Sequence, residues 1–97
     1  MVIRIVKMTF KTESTHQFLS IFEEYKERIR SAEGCTQLKL LRDADSPNIF
    51  FTYSIWTDAQ YLEKYRHSAT FGEVWPQVKP LFAAQTEAWT TKALHEM

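Results

Sequence analysis

Apolar residues alternate along some stretches of this chain and recur every third or fourth position along others, and these two periods mark out its elements. The most apolar stretch is Ile49-Phe50-Phe51-Thr52-Tyr53-Ser54-Ile55-Trp56, β-rich in type and free of Gly and Pro. As a strand it turns Ile49, Phe51, Tyr53 and Ile55 to one face and Phe50, Thr52, Ser54 and Trp56 to the other. Neither face is cleanly polar, so both need cover from helices, a second sheet or another subunit. Alternation separates the two faces without saying which cover each receives.

Val2 to Phe10 has strand character, with Ile3 and Ile5 on one face and Val2, Val6, Met8 and Phe10 on the other. Arg4 and Lys7 interrupt these faces, one on each. Arg4 has apolar neighbours on its own face, a setting that suits a charge at a strand end or interface rim, or one that contacts a ligand anion. Ser14-Thr15-His16-Gln17 matches a capping box, and Phe18, Phe22, Tyr25, Ile29 and Ala32 recur at the spacing of one helix face. Gly34 supplies the left-handed residue that ends such a helix. A second strand runs from Thr36 to Arg42, followed by the turn-forming Asp43-Ala44-Asp45-Ser46-Pro47-Asn48, which predicts a hairpin into the Ile49 strand.

Thr57-Asp58 caps a helix over Ala59 to Tyr65 with Tyr61, Leu62 and Tyr65 inward, and Arg66 to Thr70 interrupts it. Ser68 or Thr70 caps the next segment, where Phe71, Val74, Trp75 and Val78 keep helical spacing. Pro76 and Pro80 predict two short helical pieces with a kink or break near Trp75. A fourth strand is predicted over Glu87 to Leu94, with Trp89 on one of its faces and a frayed end at His95 to Met97.

The order strand, helix, strand, strand, helix, strand predicts an α+β, ferredoxin-like βαββαβ domain over residues 1–97. Its four-stranded antiparallel sheet has the first and third strands in the middle and helices on one face. The other face then carries large apolar groups, more than a soluble monomer ordinarily exposes, which predicts a homodimer through that face in a barrel-like arrangement.

Composition narrows the function classes. The chain is 44% hydrophobic and 25% charged, an ordinary globular balance. Twelve Lys and Arg offset twelve Asp and Glu, which argues against nucleic acid or an anionic membrane surface as partner. No stretch reaches the roughly 20 apolar residues of a membrane span, and no signal-peptide pattern opens the chain, so the expected location is the cytoplasm. The single Cys35 excludes an internal disulfide and reads as a small buried filler. His16, His67 and His95 lack chelating spacing, so no metal is expected.

From about Val2 to Leu94 the chain resembles the antibiotic biosynthesis monooxygenase (ABM) family of dimeric α/β barrels. The resemblance is carried by Tyr53-Ser54-Ile55-Trp56-Thr57-Asp58-Ala59, Tyr65-Arg66-His67-Ser68-Ala69-Thr70-Phe71, Phe18-Leu19-Ser20-Ile21-Phe22 and Glu33-Gly34-Cys35. It implies a pocket between sheet and helices and, among characterised relatives, oxidation of polycyclic aromatic or quinol substrates without metal or flavin; others degrade haem. The cofactor-free chemistry requires a base, a hydrogen-bond donor and a dry aromatic box in which a substrate anion reduces dioxygen.

Under that resemblance His67 is the candidate base, Tyr53 and Tyr65 are candidate donors or proton relays, and Phe22, Trp56, Phe71, Trp75 and Trp89 are candidate walls for the substrate. Each has a plainer reading: the tryptophans as core, His67 as a helix cap or surface residue. The chain departs from the family's pattern at three places. The histidine of many quinol-oxidising relatives falls at Tyr65, the haem-ligating histidine falls near Trp75, and the first strand has no Asn. The implied function is a cofactor-independent monooxygenase acting on an aromatic or quinol-like molecule. The alternatives are a non-catalytic small-molecule-binding homodimer and a purely structural dimerisation module, the last favoured by a pocket filled solid with side chains.

Overall fold

A computed structural model describes all 97 residues. The strands are β1 (Val2–Thr9), β2 (Cys35–Arg42), β3 (Ile49–Trp56) and β4 (Glu87–Thr91); the helices are α1 (Thr15–Arg30), α2 (Ala59–Arg66) and α3 (Ala69–Val78). One sheet takes the order β2-β3-β1-β4 with every neighbouring pair antiparallel. This is the ferredoxin-like α+β arrangement, and it puts the apolar β3 beside β1 at the centre.

Register assigns the faces. Arg4 lies opposite Ser54 on β3 and Thr90 on β4, whereas Ile5 lies opposite Tyr53 and Trp89. Even-numbered positions of β1 and β3 therefore share one face. There Met8, Phe10 and Phe50 join Phe18, Ile21, Tyr25 and Ile29 of α1 in the main core. Phe10 is fully buried, with its ring 4.2 Å from that of Phe18 and 5.7 Å from that of Phe50. Burying a side chain of this size contributes roughly 1.5–3 kcal/mol, so this aromatic knot is a principal anchor of α1 on the sheet. A smaller cluster of Val2, Cys35, Trp56 and Leu62 seats α2.

Local chemistry explains the joints. Gly34 has φ +85°, and a Cβ there would collide with the Tyr61 side chain, so the turn between α1 and β2 needs glycine on both counts. In the β2–β3 hairpin, Asp43 Oδ2 accepts from the backbone N–H groups of Asp45 and Ser46 at 3.0 and 2.8 Å. Asp58 and Ser68 cap α2 and α3 by accepting from the N–H groups of Gln60 and Phe71.

Three details differ from expectation: the Ser14 cap, the passage of α3 through Pro76, and the end of β4. Ser14 makes no side-chain cap, because Thr12–Ser14 already wind a 3-10 turn that leads straight into α1. Helix α3 passes through Pro76 to Val78 without the expected break near Trp75. Pro76 lies in its last turn, where the missing N–H frees one carbonyl, that of the exposed Gly72, and water can take it. The second proline, Pro80, belongs to a 3-10 turn at Lys79–Leu81. Strand β4 stops at Thr91 rather than Leu94, which is 89% exposed and has no strand partner to hold it.

Candidate functional site

A cavity of about 420 Å³ lies between the helix-side face of the sheet and the helices, with 14 hydrophobic residues among its 19 lining residues. A second depression of about 410 Å³, between α1 and β2, is shallower; seven residues line it, among them Lys26, Glu27 and Arg30. Only the first has the concave, mostly apolar lining that ligand pockets share.

Its wall is a continuous aromatic arc. Trp56 at the end of β3 lies 5.3 Å from Tyr65 of α2, Tyr65 meets Phe71 edge-on at 5.6 Å, and Phe71 stacks on Trp75 at 5.7 Å with 11° between the planes. Helical spacing of Phe71 and Trp75 brings their rings together on one side of α3. That helix is fastened to α1 by the Arg28 guanidinium, whose Nη2 lies 2.5 Å from Glu73 Oε2, and by Gln77 Nε2, which donates to the Tyr25 hydroxyl at 3.1 Å. Phe22 of α1 also borders the cavity.

The polar lining is sparse and consists of neutral hydroxyls and cations. Trp56 Nε1 donates to Ser54 Oγ at 3.0 Å, which holds the indole against the sheet. Burial, with a smaller contribution from the Cys35 thiol, pushes the Tyr65 phenol up to about 12, so it is a neutral hydrogen-bond donor at physiological pH. The Thr86 hydroxyl, also in the lining, is buried without a partner. Arg4 reaches into the cavity from β1 and donates from Nη1 to Thr90 Oγ1 at 2.9 Å. Burial holds its pKa below the usual arginine value, the nearby Arg66 charge lowers it further, and Glu63 partly opposes both. Arg66 itself lines the cavity and pairs with Glu63 at 3.5 Å.

The cavity brings together five residues singled out from sequence: Tyr65, Phe22, Trp56, Phe71 and Trp75. Three others lie elsewhere. His67 follows the end of α2, its side chain 74% exposed and its Nε2 2.8 Å from Glu63 Oε1, so the ring turns back along the outside of the helix. Tyr53 belongs to the odd register of β3, on the opposite sheet face, with Lys39 Nζ 5.6 Å from its ring centroid. Trp89 occupies the same face on β4 and is 46% exposed. Arg66, Ser54, Thr52 and Thr86 line the cavity without having been singled out for it. A sequence signal existed for Arg66, which directly follows Tyr65, but a cation in a last helical turn ordinarily answers the helix dipole. Cys35 is buried, its thiol pushed up by desolvation and 3.6 Å from the Gln37 carbonyl oxygen, as a filler residue should be.

The family model for antibiotic biosynthesis monooxygenases matches residues 1–75 of the 97. The chain belongs to the antibiotic biosynthesis monooxygenase family. Similar solved structures include one described as an antibiotic biosynthesis monooxygenase, with TM-score 0.92 and 20% identity over 98% of this chain and 100% of that one. A conserved protein from Methanosarcina mazei Go1 has TM-score 0.88 and 24% identity over 94% of this chain and 91% of its own. A variant of SnoaB, a cofactor-independent oxygenase from Streptomyces nogalater, has TM-score 0.87 and 19% identity over 99% of this chain and 95% of its own. At such identities the structural likeness speaks for the fold alone. No curated protein matches the chain by sequence. In this ABM protein, no helix is long and apolar enough to cross a membrane.

Proposed function

We propose that this ABM protein is a cofactor-independent monooxygenase that oxidises an aromatic or quinol-like small molecule in the cavity beneath α2 and α3. The observation that carries the reading is the aromatic arc from Trp56 through Tyr65 and Phe71 to Trp75, which walls a space of about 420 Å³, enough for a small fused-ring molecule. A chamber of that size also speaks against a purely structural module packed solid with side chains.

In the proposed reaction an activated ring carbon bearing two hydrogens loses a proton, and the resulting carbanion reduces dioxygen. The carbon–oxygen adduct loses water, leaving a carbonyl on the ring: one oxygen atom stays and the other departs as water, with every electron supplied by the substrate. Arg4 opposes the negative charge of the anion, and the neutral Tyr65 phenol is placed to donate to the reduced oxygen. The cavity lining contains no His, Lys, Asp or Glu, so it offers no ordinary side-chain base, and the proton lost from carbon is returned to the departing oxygen as part of the water formed. The same feature favours a second reading, a binding protein that holds such a molecule without oxidising it.

The working unit is proposed to be a homodimer. Ile3, Ile5, Phe51, Tyr53 and Ile55 floor the open sheet face, and Leu41 and Trp89 on it are each 46% exposed. A second copy laid on that face would bury them. A cytoplasmic setting suits the unpaired Cys35 thiol.

Oxygen-electrode measurements with a panel of anthrones, naphthoquinols and phenols test the catalytic reading. Under labelled dioxygen, turnover should leave one labelled oxygen atom in the product. Ligand-dependent thermal stabilisation with no oxygen uptake across the panel would instead establish the binding protein.

A further inference from the structure

We infer that the ligand of this cavity is an organic anion, and that Arg4 and Arg66 are the pair that recognises its oxyanion against an aromatic wall. The inference rests on the same cavity as the proposed function but concerns what binds there, not what happens to it.

The charges lining the cavity are all of one sign. Two arginines border it, and no carboxylate, lysine or histidine does. Arg4 projects from a central strand among Val6, Met8 and Trp56, yet its one protein partner is the neutral hydroxyl of Thr90. A guanidinium carries five N–H donors, so most of its hydrogen-bonding capacity is left for a ligand. The carboxylate nearest in charge, Glu63, is engaged outside the cavity by Arg66 at 3.5 Å and by His67 at 2.8 Å. It therefore acts on Arg4 only from a distance, offsetting part of the burial and Arg66 effects, and leaves the Arg4 guanidinium without a carboxylate partner.

Holding a partly buried cation beside a second one is unfavourable unless an anion joins them. The unfavourable proximity is visible in Arg4 itself, where burial and the Arg66 charge both act against the protonated form. An oxyanion between the two guanidinium groups would remove that repulsion and accept their free N–H groups in the fork geometry that arginine offers and lysine does not. Across the cavity, the stacked Phe71 and Trp75 present π surface to a ring, and the neutral Tyr65 phenol adds a third donor. An aromatic carboxylate and an ionised phenol or enol share this chemistry; their neutral counterparts lack it.

Calorimetric titration of the full-length protein with matched probes tests the inference. One pair is 2-naphthoate against 2-naphthamide, and the other is an acidic nitronaphthol, ionised at neutral pH, against its methyl ether. The anion of at least one pair should bind about tenfold or more tightly than its neutral partner, with affinity that falls as salt is raised. Which pair discriminates tells a carboxylate site from a phenolate or enolate site. Arg4→Met and Arg66→Met should each abolish most of that preference while changing the affinity of the neutral probe little, and Arg4→Lys should restore only part of it. If Arg4→Met does not fold, Arg66→Met carries the test, because Arg66 is exposed at the rim. Equal affinity for anion and neutral probe, equal loss of both in the variants, or no detectable binding of either anion would overturn the inference. Anion-selective binding without oxygen uptake would sink the monooxygenase reading and leave this one standing; oxygen uptake without anion selectivity would do the reverse.

Discussion

Trp56 gives its indole N–H to the hydroxyl of Ser54, two residues back on the same strand, at 3.0 Å and with both side chains buried. A buried indole has one donor and few acceptors in reach, so Ser54 decides whether the fully buried tryptophan of the cavity wall is satisfied. Replacing Ser54 by Ala leaves that donor stranded and should cost about 1–3 kcal/mol in chemical denaturation. In the Trp56→Phe background the same serine change should cost clearly less, because the stranded group is gone. Additive costs in that double-mutant cycle would show that the bond contributes nothing.

Gly34 is held by two independent constraints, a positive φ and the Tyr61 side chain where a Cβ would stand. Gly34→Ala should therefore destabilise by more than the roughly 1–2 kcal/mol of the left-handed conformation alone. Adding Tyr61→Ala should relieve the collision but not the backbone term. Unfolding of the single and double variants separates the two contributions.

Much of this architecture was legible from periodicity. The shift from alternating to helical spacing located β1, α1, β2, β3 and α2, and the Asp43 to Asn48 turn was readable from residue type. The side of the sheet on which each residue falls was not, because Ile49, Phe51, Tyr53 and Ile55, which the helices leave open, are more apolar than the helix-covered Phe50, Thr52, Ser54 and Trp56. Alternation is symmetric, and only the helices packed on the even register break that symmetry. Periodicity therefore gives Tyr53 the same standing as Tyr65 as a candidate donor, and Trp89 the same standing as Trp56 as a candidate wall, although Tyr53 and Trp89 lie on the opposite face. Pro76 differs for another reason: the one carbonyl it leaves without an N–H, that of Gly72, is exposed to water, and the helix has only two residues left to run. His67 drew attention by residue type, while its neighbour Arg66 reached the cavity rim.

His67 lies outside the cavity and pairs with Glu63 on the surface. His67→Ala should accordingly leave ligand affinity and any turnover within about twofold of the parent, the scale of an ordinary surface change. Steady-state kinetics and calorimetry on that variant provide the check, and a loss of a hundredfold would return the histidine to the reaction.

The buried Tyr65 phenol ties stability to alkaline pH. Its folded pKa is raised to about 12 from an ordinary 10.0, so the unfolded chain ionises first as pH climbs. Its stabilising influence is complete below pH 10, declines between 10 and 12, and is exhausted above. At about 1.4 kcal/mol per unit, the two-unit shift corresponds to roughly 2–3 kcal/mol. Denaturation midpoints followed from pH 8.5 upward should fall more steeply for the parent than for Tyr65→Phe, and parallel curves would remove the assigned burial effect.

The open sheet face makes the sharpest prediction about assembly. Ile5 lies between Tyr53 and Trp89 in register, so these three form a row across β3, β1 and β4 on the side that no helix covers. A partner laid there must exclude water from that row, and a carboxylate at its centre cannot be desolvated without a counter-charge. Of the two lysines on that face, Lys7 is already paired with Glu87 at 3.8 Å, and Lys39, opposite Tyr53 on the outer β2, has its Nζ over the Tyr53 ring at 5.6 Å, with that ring between it and Ile5. Ile5→Asp should convert a light-scattering dimer into a monomer at micromolar concentration. The core of Phe10, Phe18 and Phe50 lies on the other side of the sheet, so the near-ultraviolet signal of Trp56 and its neighbours should survive the change. A parent protein that is already monomeric at that concentration would refute the assembly outright, whereas a variant that stays dimeric would move the interface to another surface.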